Sequence, residues 1–500
     1  MYACPNCGSN LRFSIEKQAL FCDACDTVKS PYDVVKDHDA DESNVFEATV
    51  FTCPQCGGEI ISEDNEAAAF CSYCGGSTIL TGRINSVMTP QYIIPFSKNK
   101  QDCVNSYKQK VKKAVFAPDS VKNVKNIDSF RGIYMPYWNY TTALSKRIST
   151  EVTTVRYSGN YKYTDHYDLS ADVTSDYSGI YFDAASSFAD DLNNAISPYD
   201  YDKQLKFTPS FLSGFYADVT DVPAITYGDD VQSLVAVNSE RAIENMEPFK
   251  KYSGDVSSIS RSRLEKELRP DIVGCDMVML PVWFMSTKVK VNGEDRVSYS
   301  VINGQTGAIA GDIPVDLKKY FIAAGLSSLL LFVILQILAG VFDIVPNPKV
   351  VLVISAVFSI IVSAIHGSRN KAIAAHESHL DDKGYIVREW IEIEKNQGAD
   401  LGTAISKGVE SGTRMMDYEK NHLRYKKTGR IFGWITSIGA AALLMVNPIR
   451  DLIWYIGILV ILGSSVVQIL MMMINFNELT SRPMPQFKRT GGDDSAKNLE

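Results

Sequence analysis

The apolar positions of this chain follow three different rhythms, and each predicts a different kind of element. The first rhythm is unbroken. "YFIAAGLSSLLLFVILQILAGVF", residues 320–342, runs without a charge, and so do "VVLVISAVFSIIVSAI", "IFGWITSIGAAALLMV" and "LIWYIGILVILGSSVVQILMMMI". A bilayer-crossing helix needs about 20 apolar residues, about 17 at the short end. The first and last runs meet that alone. The middle two do so as halves of apolar hairpins closed by "DIVPNPK" and "NPIRD". Four spans are predicted, at 320–342, 350–366, 431–447 and 452–475.

The second rhythm alternates. "RGIYMPYWNYTTALS" and "VGCDMVMLPVWFMSTKVKV" share a core, Met135-Pro136-Tyr137-Trp138 against Leu280-Pro281-Val282-Trp283. They read as two strands of one α+β domain over 83–316, with the flavour of a diverged internal repeat. Tight turns are predicted at Ser158-Gly159-Asn160, Asn292-Gly293 and Asn303-Gly304, because Asn-Gly supplies the positive φ angles that hairpins need. The third rhythm is helical and short. It covers the lysine-rich "KNKQDCVNSYKQKVKKAVF" and parts of 186–205 and 238–252, and the charged loop 367–430 is expected to hold a helical hairpin with Ile386, Trp390 and Ile393 on one face. Within that loop "HESH" lacks the spacing of a metalloprotease helix and reads as a solvated face.

The candidate chemistry lies before all of this. Cys4, Cys7, Cys22 and Cys25 recur 49 positions later as Cys53, Cys56, Cys71 and Cys74, and both sets read C-x2-C-x14-C-x2-C. Two such knuckles present four thiolates in a closed tetrahedron, the geometry of structural zinc. Modules this short bury too little to fold alone, so metal must stabilise them. Disulfides would need an oxidising compartment. Iron uses similar knuckles, usually further apart. A catalytic zinc would need a vacant ligand position, and four sulfurs leave none. Gly8, Gly57 and Gly75 follow three of the knuckles, whereas Asp26 follows the fourth. Two zinc ribbons are therefore expected, at 1–30 and 51–82, joined by an acidic linker at 31–50 and holding one Zn2+ each. Cys103 and Cys275 read as ordinary thiols.

Charge then decides what the ribbons are for. Residues 1–85 hold 5 Lys/Arg against 13 Asp/Glu, and residues 317–500 hold 20 against 16. Acidic ribbons, made more so by thiolates, repel a phosphate backbone, so nucleic-acid binding is the lesser alternative. Lys318, Lys319, Arg369, Lys371, Lys426, Lys427, Arg430, Arg482, Lys488 and Arg489 all flank one side of the four spans. The positive-inside rule places that side, both termini and the 367–430 loop in the cytosol, where zinc-bound thiolates also belong. The start "MYACPNC" predicts no cleavable signal peptide. Phosphate-loop and nucleophile-elbow motifs are absent, and the spans carry only Gln336 and Gln468 at mid-depth rather than ionisable groups. An enzyme or carrier is thereby disfavoured, although a membrane enzyme of unknown chemistry stays open. Residues 476–500 read as a flexible cytosolic tail.

From Cys53 to about Lys318 the chain resembles the TFIIB-type zinc-ribbon membrane proteins of Gram-positive bacteria. The resemblance rests on "FTCPQCGGEIISEDNEAAAFCSYCGG", "YIIPF", "RGIYMPYW", "ISPYDYDKQLKFTPSFLSGFYADVTDV", "LPVWFM" and "INGQTGAIAGDIPVD". Members often carry a label taken from the primosomal replication helicase, but no helicase motor is present here. The resemblance implies a cytosolic ribbon and α+β domain on a membrane anchor, with Cys53, Cys56, Cys71 and Cys74 as metal ligands. It also implies partners of the SPFH/flotillin-like or phage-shock type and a location at the bacterial cytoplasmic membrane. The amino-terminal ribbon and the second apolar hairpin depart from that pattern. The function expected is that of a membrane-anchored adaptor using its ribbons for protein–protein interaction.

Overall fold

The computed structural model describes residues 2–34, 45–62, 71–76, 81–119, 121–122, 130–246, 249–252, 258–341, 347–377, 379, 382–385, 424–485 and 487. It is a multidomain α+β chain: two Cys4 modules, a large mixed sheet dominated by antiparallel pairs, and a set of apolar helices.

In chain order, β1 (Arg12–Ser14), β2 (Ala19–Phe21) and β3 (Val28–Lys29) form a separate three-stranded antiparallel sheet. Next come β4 (Val45–Thr52), β5 (Glu59–Ser62), β6 (Thr81–Met88) and β7 (Tyr92–Ile93), then α1 (Lys100–Lys113). Two long strands follow, β8 (Arg131–Ser158) and β9 (Tyr161–Asp183), then α2 (Asp190–Ile196), β10 (Leu205–Lys206), β11 (Tyr216–Asp218), α3 (Gly228–Glu244) and α4 (Ser258–Glu267). The body closes with β12 (Asp271–Val291), β13 (Glu294–Asn303) and β14 (Ile309–Gly311). Four long helices come next, α5 (Leu317–Val341), α6 (Pro348–Glu377), α7 (Arg424–Val446) and α8 (Asp451–Ile474), and a last strand, β15 (Arg482–Pro483).

Twelve strands make one sheet, and its spine is the antiparallel pair β8–β12. The two Met/Leu-Pro motifs lie across from each other in that pair: Met135 faces Leu280, Pro136 faces Met279 and Tyr134 faces Pro281. Proline in an interior strand normally costs a ladder hydrogen bond. Here each proline sits where its strand changes outer neighbour. β8 passes from β11 (Ile133, Tyr134) to β9 (Tyr137), and β12 passes from β7 (Val278, Met279) to β13 (Val282). The carbonyls of Pro136 and Pro281 accept outward bonds from Ala184 N and Gly304 N at 2.9 and 2.8 Å. The proline N–H groups missing on that outward side leave no carbonyl stranded, because Ala184 O accepts from Asp221 N and Val222 N, and Gly304 O accepts from Ser97 N and Lys98 N.

The Ser158-Gly159-Asn160 and Asn292-Gly293 turns close hairpins as expected, with Gly159, Asn292 and Gly293 at positive φ. The third turn differs. Positive φ falls at Gly307 rather than at Asn303-Gly304, and Asn303 instead caps a wider loop by accepting from Gln305 N and Thr306 N at 2.9 Å. The tyrosines between Tyr134 and Tyr201 divide by place: Tyr134, Tyr137 and Tyr140 are core, while Tyr157 and Tyr161 at the β8–β9 tip are exposed.

Among the described residues, three helices are long and apolar enough to cross a membrane: Leu317–Leu338, Pro348–Glu377 and the helical stretch Asp451–Leu479. The sequence count of four differs at 431–447, where the apolar stretch Trp434–Val446 of α7 is shorter. α6, α7 and α8 pack together around Leu352, Ala440, Trp454 and Ile458, whereas the apolar stretch of α5 is unburied. Gln468, expected at mid-depth, is buried and accepts from Ser363 Oγ at 2.8 Å.

Three boundary expectations need correction. The linker expected at 31–50 gives way to strand at Val45, because β4 pairs over its full length with β6 and so lengthens the second module at both ends. α6 continues past residue 366 to Glu377, into the expected loop, and "HESH" is no solvated face. His376 is buried with Nε2 3.1 Å from the Ser481 carbonyl, and Glu377 forms a buried ion pair with Arg296 of β13. The expected flexible tail begins with a short helix, Phe476–Leu479, and then pairs as β15 with β13. Ile386, Trp390, Ile393 and the expected helical hairpin around them lie outside the described residues.

Candidate metal centres

All four knuckles are built alike. The first cysteine of each donates its N–H to the residue five positions on: Cys4 to Ser9 at 2.7 Å, Cys22 to Thr27 at 3.0 Å, Cys53 to Gly58 and Cys71 to Gly76 at 2.8 Å. Its carbonyl accepts from the residue four positions on, Gly8, Asp26, Gly57 or Gly75, at 2.8 to 3.0 Å. The fourth position of each turn needs positive φ. Three glycines provide it, and Asp26 adopts it too, at φ 57°. The departure seen in the sequence is thus chemical and not geometric, since aspartate is one of the few side chains that tolerates the left-handed region.

The sulfurs of each set lie within 4.8 Å of one another. In the first, Cys4 Sγ is 3.5 Å from Cys25 Sγ and Cys7 Sγ is 3.4 Å from Cys22 Sγ. In the second, Cys53–Cys74 and Cys56–Cys71 are 3.9 and 3.7 Å apart. A tetrahedron with bonds of ~2.3 Å has edges of about 3.8 Å, so the donors fit a four-coordinate cation. The disulfide alternative would require sulfurs about 2.05 Å apart. Hydrogen bonds from Cys56 and Cys71 hold Cys74 well below the thiol range, at about 2. Contact with Cys71 and Cys74 pushes Cys56 the other way. Cys71 is pushed up as well, so a cation would offset the charge that Cys56 and Cys71 resist. Both Cys4 groups could therefore hold a metal ion.

Their surroundings differ. In the first module Cys4 and Cys22 are buried while Cys7 and Cys25 are exposed. The module leans on the body by one side: Phe13 N donates to the Ser213 carbonyl at 2.9 Å, Ser213 Oγ donates to the Leu11 carbonyl at 2.6 Å, and Phe13 packs on Phe211 at 5.3 Å. In the second module all four cysteines are buried. They belong to a body core that includes Phe51, Ile60, Tyr73, Phe284 and Tyr299. β5, between the two knuckles, pairs with β11 and so places the module inside the large sheet.

No family model matches this chain, and no solved structure matches it. Over 324 residues it is 28% identical to the uncharacterized protein YdjG of Bacillus subtilis (strain 168), a match covering 64% of this chain and 91% of YdjG.

Two contributors to the second module were missed in the sequence. Tyr73 lies between Cys71 and Cys74, and its carbonyl accepts from Tyr299 Oη at 2.9 Å, which ties the knuckle to β13. Phe487 reaches the first knuckle from the far end of the chain. Its N–H donates to the Cys56 carbonyl at 2.6 Å and its ring packs edge-on against Tyr73 at 5.5 Å. The available signal was one of two phenylalanines in the expected tail, which points nowhere by itself. Asp218 of β11 is wholly buried at this seam, opposite Ile60, and accepts from Ser187 Oγ; burial pushes its carboxyl up to about 7. Cys103 and Cys275 stand apart from both centres, and burial pushes each thiol up to about 12, which suits inert residues.

Proposed function

We propose that this chain is a membrane-anchored adaptor in which two structural zinc ribbons and the α+β body present protein-docking surfaces beside a bilayer. The single observation that carries the reading is the burial of Cys53, Cys56, Cys71 and Cys74 within the body's core. A four-sulfur site enclosed in this way has no position for a substrate. Its metal organises the body and leaves recognition to the surface. Zinc is the metal of choice because it takes four thiolates tetrahedrally, without redox chemistry, at the bond length that the sulfur spacing fits.

The anchor is read as four spans, with α7 and α8 forming the second hairpin and both termini in the cytosol of a bacterial cell. Support comes from the basic flanks Lys318, Lys319, Arg369, Lys371, Arg482 and their neighbours. The similarity to a Bacillus subtilis protein supports a bacterial setting. Membership of the TFIIB-type zinc-ribbon membrane proteins, and with it a partner of the SPFH/flotillin-like or phage-shock type, is supported by the order of the motifs quoted above.

The test has two parts. Metal analysis of the chain purified in mild detergent should return two zinc ions per chain, and crosslinking in intact cells followed by mass spectrometry should recover one dominant protein partner. A chain that binds zinc, stays folded and captures no partner is not an adaptor. Removal of the amino-terminal ribbon by protease added to whole cells would reverse the orientation.

A further inference from the structure

α5 leaves the body beside a helix to which the adaptor reading assigns no task. α1 buries Cys103, Val104, Tyr107 and Val111 against the body, a spacing of one face. That turns Lys108, Lys112 and Lys113 outward, and all three are exposed. Lys110 is the exception: it is half-buried, its Nζ donates to the Ile309 carbonyl at 3.4 Å, and Asp312 is the nearby acid.

Three contacts fix the end of α1 at the foot of α5. Asp316 N donates to the Phe116 carbonyl at 2.7 Å, the Phe116 ring packs edge-on against Tyr320 at 5.4 Å, and Lys319 Nζ donates to Asp119 Oδ1 at 2.8 Å. Lys108 lies about 8 Å along the helix from Lys113, so the whole basic face falls near the point where α5 turns apolar. Lys318, in the first turn of α5, is exposed as well. Val115, between the lysines and Phe116, is 72% exposed.

The acids of this corner are already engaged. Asp119 and Asp316 both bind Lys319, and Asp102 closes the capping box with Asn99 at the other end of α1. Lys108, Lys112, Lys113 and Lys318 form no ion pair among the described residues. On a chain of net charge −8, four uncompensated lysines around an exposed valine and an interfacial tyrosine match one surface. Basic side chains within about a Debye length of an anionic leaflet are attracted to it, and tyrosine favours the headgroup level.

We infer that the α1–α5 junction binds anionic phospholipid headgroups of the leaflet that α5 enters, with Lys108, Lys112, Lys113 and Lys318 on the phosphates and Val115 at the acyl boundary. This rests on the membrane reading above. The body would then be held against the bilayer by a second attachment, and its orientation would depend on lipid charge.

The test uses the full chain in nanodiscs of phosphatidylcholine alone or of phosphatidylcholine and phosphatidylglycerol in equal parts. A water-soluble acetylating reagent is added, and each lysine is followed by peptide mass spectrometry. In the anionic discs Lys108, Lys112 and Lys113 should label about fivefold more slowly, and high salt should restore the rate. Lys162 and Lys266, exposed elsewhere on the body, should not change. Equal rates in the two lipids would overturn the proposal, and so would slowing shared by Lys162 and Lys266. The combined variant Lys108→Glu, Lys112→Glu, Lys113→Glu should retain less phosphatidylglycerol in native mass spectrometry while unfolding at the wild-type temperature; unchanged retention counts against the site. Protection of these lysines by single-stranded DNA in detergent, with none from phosphatidylglycerol, would reassign the patch and refute it. An alkaline carbonate wash separates the two readings. Release of the chain from membranes removes the anchor itself, whereas a retained chain with equal labelling rates removes only the lipid surface.

Discussion

The two Cys4 modules share spacing, knuckle hydrogen bonds and sulfur geometry, yet they join the body in different ways. The first has its own small sheet and leaves two of its four sulfurs in solvent. The second lends β4, β5 and β6 to the body's sheet and buries all four. The same local chemistry can thus serve as a docked module, packing Leu11, Phe13 and Leu20 against the body, or as a keystone within its sheet. What separates them is strand pairing: β5 pairs with β11 in the large sheet, whereas β1, at the equivalent position, pairs as a strand with β2 and meets the body through the bond from Phe13 N to the Ser213 carbonyl.

The largest expected effect tests that distinction directly. Cys71→Ser should unfold the body along with the module, since zinc in such sites is worth roughly 10–16 kcal/mol and its loss leaves the buried knuckles without the bonds that join them. Thermal unfolding of the purified chain should lose its cooperative transition. Cys22→Ser should instead free only the first thirty or so residues to protease while the main transition persists. Equal damage from the two variants would abolish the keystone reading.

The seam itself carries the next effect. Asp218 has its carboxyl raised to about 7 by burial, so the folded state holds that proton more tightly than the unfolded chain does. The associated stability is fully present below about pH 4 and is lost as pH rises through about 7. Asp218→Asn should flatten this dependence and stabilise the body at pH 8 by a few kcal/mol, read from denaturant midpoints across pH. Nothing comparable is expected for the first module.

Two glycines sharpen the contrast at smaller scale. Gly57 and Gly8 have φ of 77° and 74°, and an added Cβ meets Phe487 O at 1.9 Å in one case and nothing within 4 Å in the other. Gly57→Ala should displace Phe487 and expose the carboxyl-terminal segment to protease, at a cost of roughly 2–3 kcal/mol. Gly8→Ala should carry only the backbone strain, about 1–2 kcal/mol, seen as weaker metal retention in a chelator competition.

Much of this was legible because it is local. The knuckles follow from cysteine spacing, the two tight hairpins from Gly159 and Asn292-Gly293, and the central strands from the repeated Pro-x-Trp cores. What escaped notice depends on partners distant in sequence. Nothing near Cys53 announces β11, more than 150 residues later, as the strand that will cover β5. The histidines and glutamate of "HESH" look solvated until Arg296 and Ser481 arrive from other elements. Asp26 shows the converse: the letter departs from the glycine pattern, yet the backbone is indifferent to the change.

Phe487 has a consequence for how the molecule is made. The knuckle it covers is synthesised before any of the helices α5 to α8, and Phe487 itself only after α8. A half-made chain can bring the second set of cysteines together but cannot yet close the lid over Cys56 and Tyr73. Completion of the core around Cys56 therefore waits for α8, and a copy in which that helix was misplaced would stay open at that spot, legible to the cell's proteases as unfinished.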